Sequence, residues 1–571
     1  MKLKAIPVCP GKVLAQSYVL GPVPEFDLEA KQEIYDEEST RQCIDAAMQA
    51  VMAKLEANKA ASGGNEDMAA MLDVQKSMLG DSYYLEEIYA HTAEGYAPHA
   101  AVLRAAKTQI DMLQSLQDEM MSARAEDMKD ASTRLAVEIL GLEYPDISCL
   151  PGPVLLVGED LFPSILLNAD FGNLKGIVTR QGTRTSHVSI LAASVGVPML
   201  VGCAEANLIE KGQMVYMDAA EGSVEFGLDA AQIENMQAQV AQYQQEKAKL
   251  QEYASRDACT ADGERVQLCA NIIEPLMLEQ VLEHGMDGIG LFRTEFLYMN
   301  RNTLPGEEEQ FTVYKMVAEK LQGKPVIIRT MDIGGDKEVE ALGLPPEENP
   351  FMGFRAIRIC LERTDIFAAQ LRAILRASAF GNIRVMFPMV AAGDELDRAL
   401  QLLGSEREKL DSEGIAYDKQ LKTGIMIEIP SAVVMMDKLV EKVDFVSIGS
   451  NDLVQYLFAA DRLNRKVEYL YNFMHPAVLR MIKHTIDEAR KAGVECSLCG
   501  EMAGDALGMA ALAALGLKKF SVSASLALAR KRGLSLLNVE ELAKTGDKIL
   551  ETCTAQEAVA VLKEALPHGY C

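Results

Sequence analysis

Two kinds of hydrophobic spacing divide this chain. Residues 3–20 hold two short apolar runs broken by Pro10-Gly11, a pattern that predicts two strands around a turn. From about Asp27 to Leu142 the apolar residues recur instead at helical intervals. Ile44, Met48, Val51 and Leu55 make one such series, and Val102, Ile110, Leu113, Leu116 and Met120 another. With Ala, Met, Glu and Gln dominant and few β-branched runs, this stretch predicts about four helices. Within it, Met68–Leu79 is methionine-rich, which suits either plain core or an adaptable docking surface.

Strand-like runs return from Pro151 to Glu225: Val154–Val157, Gly176–Val178, Met199–Val201 and Met214–Met217, separated by Gly-rich turns. They predict a small α/β domain that residues 3–20 join, with the helical stretch inserted between. A helical domain with its own leading strands is the alternative. Asp229–Ala254 has no Gly or Pro and is rich in Gln, Ala, Glu and Lys, so it predicts one long connecting helix.

Beyond Ala258, apolar runs alternate with helical stretches: Val266–Ala270, Gly288–Phe292, Pro325–Arg329, Arg384–Phe387, Gly424–Glu428, Phe445–Ile448, Cys496–Cys499 and Phe520–Val522. Such alternation predicts a (β/α)8 barrel, whose chemistry sits at the C-terminal ends of its strands. The fold class is therefore α/β multidomain. Its parts are an α/β domain from residues 1–24 and 143–228, a helical insert 25–142, a linker helix 229–257 and a C-terminal barrel 258–571.

Composition bounds the partners. The 571 residues exceed one core and suggest roughly three or four domains. A net charge of −27 argues against nucleic acid, which needs a basic face, but leaves room for a basic protein partner or for a small anion among local arginines. The eleven cysteines have no framework spacing and no leader precedes them, so they are expected to be reduced thiols of a cytoplasmic protein. Cys496 and Cys499 have C-x-x-C spacing. On a strand they face opposite ways, which disfavours a shared zinc or disulfide. The Ala-rich candidate span, Ala506–Leu517, is too short to cross a membrane.

The chemistry lies at two places. Gly182-Thr183-Arg184-Thr185-Ser186-His187 sits between a strand-like run and a helical one. A histidine just inside a helix, beside Ser/Thr and an arginine, lies where anions are welcome, and imidazole is a competent nucleophile toward phosphorus. The ends of the barrel strands supply Arg293-Thr294-Glu295, Arg329 through Asp336, Glu428, then Gly449-Ser450-Asn451-Asp452 followed by Arg462, and Cys499-Gly500-Glu501. Arginines on adjacent strands grip carboxylate and phosphate through paired N–H donors. The carboxylates Glu428 and Asp452 suit Mg2+, and a thiol at the rim can hand a proton to an enolate. Residues 348–358 add Arg355 and Arg358 near the same mouth. Together these predict phosphoryl transfer from a small phosphorylated acid to His187.

These residues also carry a resemblance. The segment 182–187 resembles the phosphohistidine signature of the phosphoenolpyruvate-utilising enzymes. Arg329-Thr330-Met331-Asp332-Ile333-Gly334-Gly335-Asp336-Lys337, the Glu-Asn-Pro-Phe-x-Gly-x-Arg-Ala-Ile-Arg stretch at 348–358, residues 447–456 and Cys499-Gly500-Glu501 resemble the barrel signatures of the Enzyme I family of the bacterial sugar phosphotransferase system. The resemblance covers essentially the whole chain. It implies transfer of phosphate from phosphoenolpyruvate to His187 and on to a histidine of the carrier protein HPr. It implies that Arg293, Arg329, Asn451 and Arg462 hold the substrate, Glu428 and Asp452 the Mg2+, and that Cys499 protonates the enolate of pyruvate. It also implies a homodimer through the barrel and a swing of the His187 domain. Four departures spare these residues: Thr183 for a usual glycine, the region of Gln75–Leu79 where a histidine is common, Lys129 for an arginine, and the missing proline after Ser523–Leu526. Those near Gln75 and at Lys129 are expected to touch the HPr-docking surface, so a paralogue with a different carrier is the alternative. A dikinase of the same superfamily would need an ATP-binding domain for which there is no room.

Overall fold

The computed structural model describes the chain apart from residues 22–23, 25, 33–35, 62–65, 116–118, 143, 145–146, 149, 163–164, 167–168, 183–187, 190–191, 193–194, 300–302, 336–338, 346, 463, 465 and 571. It leaves aside also the side chains of 57–61, 66–71, 73, 114–115, 119–123, 126, 276 and 340. Two compact units divide at residues 246 and 247.

The first unit is built on one mixed sheet. Its strands are β1 (Lys2–Lys4), β2 (Ile6–Cys9), β3 (Lys12–Val19), β4 (Val154–Gly158), β5 (Leu174–Thr179), β6 (Met199–Val201), β7 (Met214–Asp218) and β8 (Ser223–Phe226), in the order β1-β8-β7-β3-β4-β5-β6-β2. The leading segment thus gives three strands, not the two expected, and no hairpin. β1 lies antiparallel to β8 at one edge, β2 antiparallel to β6 at the other, and β3 runs between β4 and β7. Prolines 7 and 10 lack N–H donors and so suit a strand edge and the break after it. β4 and β6 are buried on both faces. Their residues alternate between two cores, as a two-residue period requires. Val154, Leu156 and Ile177 face a core shared with helical residues such as Ile44, Leu55 and Val102, while Leu155, Val157 and Val178 face a second core with Ile209 and Met217.

Among the described residues, five helices come between β3 and β4 in the chain: α1 (Glu37–Ala61), α2 (Glu66–Leu79), α3 (Ser82–Ala93), α4 (Pro98–Ser115) and α5 (Glu119–Leu140). Gln75 of α2 is fully buried and donates from Nε2 to the buried Asp130 of α5 at 3.0 Å, and Tyr144 donates to the same carboxylate at 2.8 Å. Gln75 therefore lies inside the bundle, whereas Ser77 of the same segment and Lys129 are exposed. Helix α6 (Ala230–Gln251) follows β8 and is polar on nearly all sides, with only Met236 buried.

The second unit is a closed barrel of eight parallel strands: β9 (Gln267–Ile272), β10 (Ile289–Phe292), β11 (Val326–Arg329), β12 (Ile383–Phe387), β13 (Lys422–Ile427), β14 (Phe445–Ile448), β15 (Glu495–Leu498) and β16 (Lys519–Ser523). Each is a short, almost wholly buried run, as strands between a barrel interior and a helical jacket must be. Leu291, Ile327, Met386, Met426 and Phe445 form an apolar plug inside, on which Cys499 rests. At the N-terminal end of the strands Glu495 accepts from Arg384 at 2.9 Å and from Lys519 at 2.5 Å. No helix among the described residues is long and apolar enough to cross a membrane.

Candidate active site at the barrel mouth

The C-terminal strand ends gather the chemistry. Arg293 follows β10, Arg329 closes β11, Glu428 follows β13, Asn451 and Asp452 open the helix Ser450–Phe458 after β14, and Cys499 follows β15. The close approach depends on glycine. A Cβ on Gly449 would stand 2.6 Å from Glu428 Oε2, and one on Gly500 would strike Ser450. Arg462 lies farther along, its backbone N–H bonded to Gln455 and its guanidinium 5.5 Å from the ring of Phe351.

Arg329 is 4% exposed and is gripped at both terminal nitrogens. Nη1 meets Asp332 at 2.9 Å and Nη2 bonds Glu295. Burial opposes its charge, but Asp332, Glu295 and Glu428 more than offset that and hold it protonated. Its Nε–H is buried without an acceptor, and so is that of Arg293. Buried donors left unpaired in a folded protein are costly, and both of these belong to residues at the C-terminal strand ends, where an oxyanion would accept them.

The carboxylates carry the opposite imbalance. Glu428 is buried and accepts from the Met389 N–H at 2.6 Å. Burial pushes its carboxyl up to about 8, and the neighbouring Asp452 and Asp332 charges add to this against the opposing Arg329. Asp452 keeps one buried oxygen, Oδ1, without a hydrogen bond. Among the described residues no group of three or more metal-ligating side chains gathers. Glu428 beside Asp452, one of whose oxygens lacks a hydrogen bond, fits a hard divalent ion that takes its remaining oxygens from water and substrate.

Cys499 is 4% exposed and its Sγ points to Ile448 O at 3.7 Å. Burial pushes the thiol above its ordinary value despite the pull of the nearby arginines, so it stays protonated near neutrality. Asn451 exchanges two hydrogen bonds of 3.0 Å with Glu501, and Tyr471 donates to the Asn451 carbonyl at 3.2 Å. Of the two arginines in 348–358, Arg355 reaches the site. It is 1% exposed, 2.9 Å from Asp332 and 3.8 Å from Asp452. Arg358 turns away to the Met352 and Gly353 carbonyls. Tyr456, within the 447–456 signature, joins the mouth, and so does Tyr471, which was not singled out because an aromatic hydroxyl on a loop carries no spacing signal.

His187 lies outside the described residues. Around it, Gly182 takes a left-handed φ of +108° after β5, and Val188 and Ser189 are helical and buried. The predicted strand-to-helix context is thus present on either side.

With this geometry in view, the relatives follow. The N-terminal domain of the PEP-utilising enzymes matches residues 4–124, their mobile domain 150–222 and their PEP-binding domain 247–538. The chain belongs to the PEP-utilising enzymes, and within them to the phosphoenolpyruvate-protein phosphotransferase family. A protein of that name from Geobacillus stearothermophilus is 40% identical over 557 residues, 97% of this chain and 96% of the relative. The one from Bacillus subtilis (strain 168) is 39% identical over 569 residues, 99% of each chain. One from Staphylococcus aureus (strain MSSA476) is 38% identical over 566 residues, 98% of each. The chain is therefore a phosphoryl-transfer enzyme.

Proposed function

We propose that this chain breaks the enol phosphate bond of phosphoenolpyruvate at the barrel mouth and forms a phosphorus–nitrogen bond on a ring nitrogen of His187. The phosphoryl group then passes to a histidine of HPr, the first step of sugar uptake by a phosphotransferase system. The observation that carries this reading is the clamped Arg329 together with Arg293, each with an unpaired buried Nε–H, beside a protonated thiol. Arg293, Arg329, Asn451 and Arg462 bind the substrate and neutralise charge as the bridging bond loosens. The leaving group is the enolate of pyruvate, and Cys499 supplies the proton that its C3 takes up.

Glu428 and Asp452 would hold Mg2+, which when bound offsets phosphate charge. Residues 1–24 and 143–228 form the His187 domain, 25–142 the HPr-docking domain, 229–257 the linker and 258–571 the PEP-binding barrel. The family implies a cytoplasmic homodimer joined through the barrel.

The test is incubation with phosphate-labelled phosphoenolpyruvate and Mg2+, with and without HPr. Acid-labile label on the protein that moves to HPr supports the reading, and absence of label overturns it. Label that stays put favours the second reading, a different carrier, for which the exposed Lys129 is the motive.

Metal binding should also report on Glu428. Its raised pKa means the carboxyl is largely protonated at neutral pH and must lose that proton to hold a cation. Mg2+ affinity is expected to rise with pH, by up to about tenfold per pH unit, and to level off above about 8. Calorimetry in two buffers of different ionisation heat would show proton release, and its absence would remove Glu428 as a ligand.

A further inference from the structure

We propose that Asp332 is a positioning residue for this reaction, holding the Arg329 guanidinium in the one orientation that serves phosphoenolpyruvate. The proposal rests on the function above. Asp332 is 2% exposed, and its two oxygens are divided between two buried arginines: Oδ2 to Arg329 Nη1 and Oδ1 to Arg355 Nη2, both at 2.9 Å. Arg355 is in turn fixed from three sides. Its Nη1 lies 3.2 Å from the Tyr456 hydroxyl, which itself donates to the Phe351 carbonyl at 2.5 Å. The backbone of Gly334 presses on it so closely that a Cβ there would stand 2.5 Å from Arg355 Cβ. The next residue, Ala356, takes a φ of +50°, a conformation that costs a non-glycine residue energy and persists only where its surroundings demand it.

The two clamps on Arg329 divide the work. Asp332 holds one terminal nitrogen and Glu295 the other, so the planar group cannot rotate. What remains for a ligand is the unpaired Nε–H. Buried ion pairs of this kind contribute little net stability, because desolvation offsets their attraction. A chain of two buried arginines and a buried carboxylate is thus better accounted for by preorganisation of a donor than by folding. Arg355 acts at one remove: its two terminal nitrogens are taken up by Asp332 and Tyr456, next to Asp452.

The measurement is the split between KM and kcat for phosphoenolpyruvate in Asp332→Asn, an isosteric change that removes the charge. A purely structural role lowers the folded fraction, and with it kcat per total enzyme, while KM stays put. Positioning raises KM, and a rise of about ten- to a hundredfold is expected, the range of one misheld charged hydrogen bond. An unchanged KM in a folded variant overturns the proposal. Should Asp332→Asn fail to fold, Arg355→Met releases the other end of the bridge and is expected to raise KM in the same direction. A KM equal to that of the wild type would again overturn it. When both variants fold, the double variant should show less than the sum of the two effects, because they break one chain of contacts. Full additivity would contradict it. Wild-type protein run alongside separates the two ideas, because failure of the wild type to turn over phosphoenolpyruvate defeats the function itself.

Discussion

Replacing His187 with alanine is expected to leave no detectable phosphoryl transfer to any carrier, while affinity for phosphoenolpyruvate at the barrel stays within about twofold of the wild type. The asymmetry follows from the separation of roles. The arginines and carboxylates proposed to hold substrate and metal all belong to the barrel unit, and His187 falls in the other. A nucleophile that forms a covalent intermediate cannot be replaced by a methyl group. The chain has seven histidines, and others already have structural work. His284 bonds the Ala524 carbonyl at 2.8 Å, and His475 caps a helix by accepting from the Ala477 N–H. Equilibrium binding of phosphoenolpyruvate, paired with the labelling assay, checks both halves. Residual transfer would place the nucleophile elsewhere.

The second large effect is expected at Cys499. Alanine there should slow steady-state turnover by about 10²- to 10⁴-fold, the usual weight of one positioned acid, and change phosphoenolpyruvate affinity little. The thiol lies on the apolar plug of the barrel, held protonated by burial, so the substitution removes a proton donor and about one atom's worth of packing. The discriminating readout is exchange of the pyruvate methyl hydrogens with deuterated solvent, followed by NMR. Loss of exchange in the variant with binding preserved assigns the proton to Cys499, and exchange at the wild-type rate would reduce the thiol to packing.

Much of the barrel was legible because its strands are short, apolar and bounded by polar turns. Val326–Arg329 and Phe445–Ile448 begin and end within a residue of where their composition predicts. Strand ends then dictate which residues reach the mouth, so Arg293, Arg329, Glu428, Asp452 and Cys499 could be named from order alone. The partners of those residues could not. Nothing in the sequence says that Asp332, three positions after Arg329, turns back to it, or that Arg355 is buried while Arg358 is not. Such choices depend on how a loop folds over the strand ends, and loops carry no periodicity. The N-terminal sheet was harder for a related reason. Proline-broken segments such as Ile6–Cys9 pair with strands almost two hundred residues away, a register set by tertiary contacts.

The depth of Cys499 bears on chemical attack. Cys43 and Cys553 are exposed, whereas Cys499 is buried, with its thiolate disfavoured. An alkylating reagent therefore consumes the surface thiols first, and inactivation lags behind total labelling. On the proposed function, a covalent inhibitor that reached Cys499 selectively would have to enter as an anion, drawn in by the arginines proposed to receive the substrate, with its warhead placed where C3 of the enolate would lie.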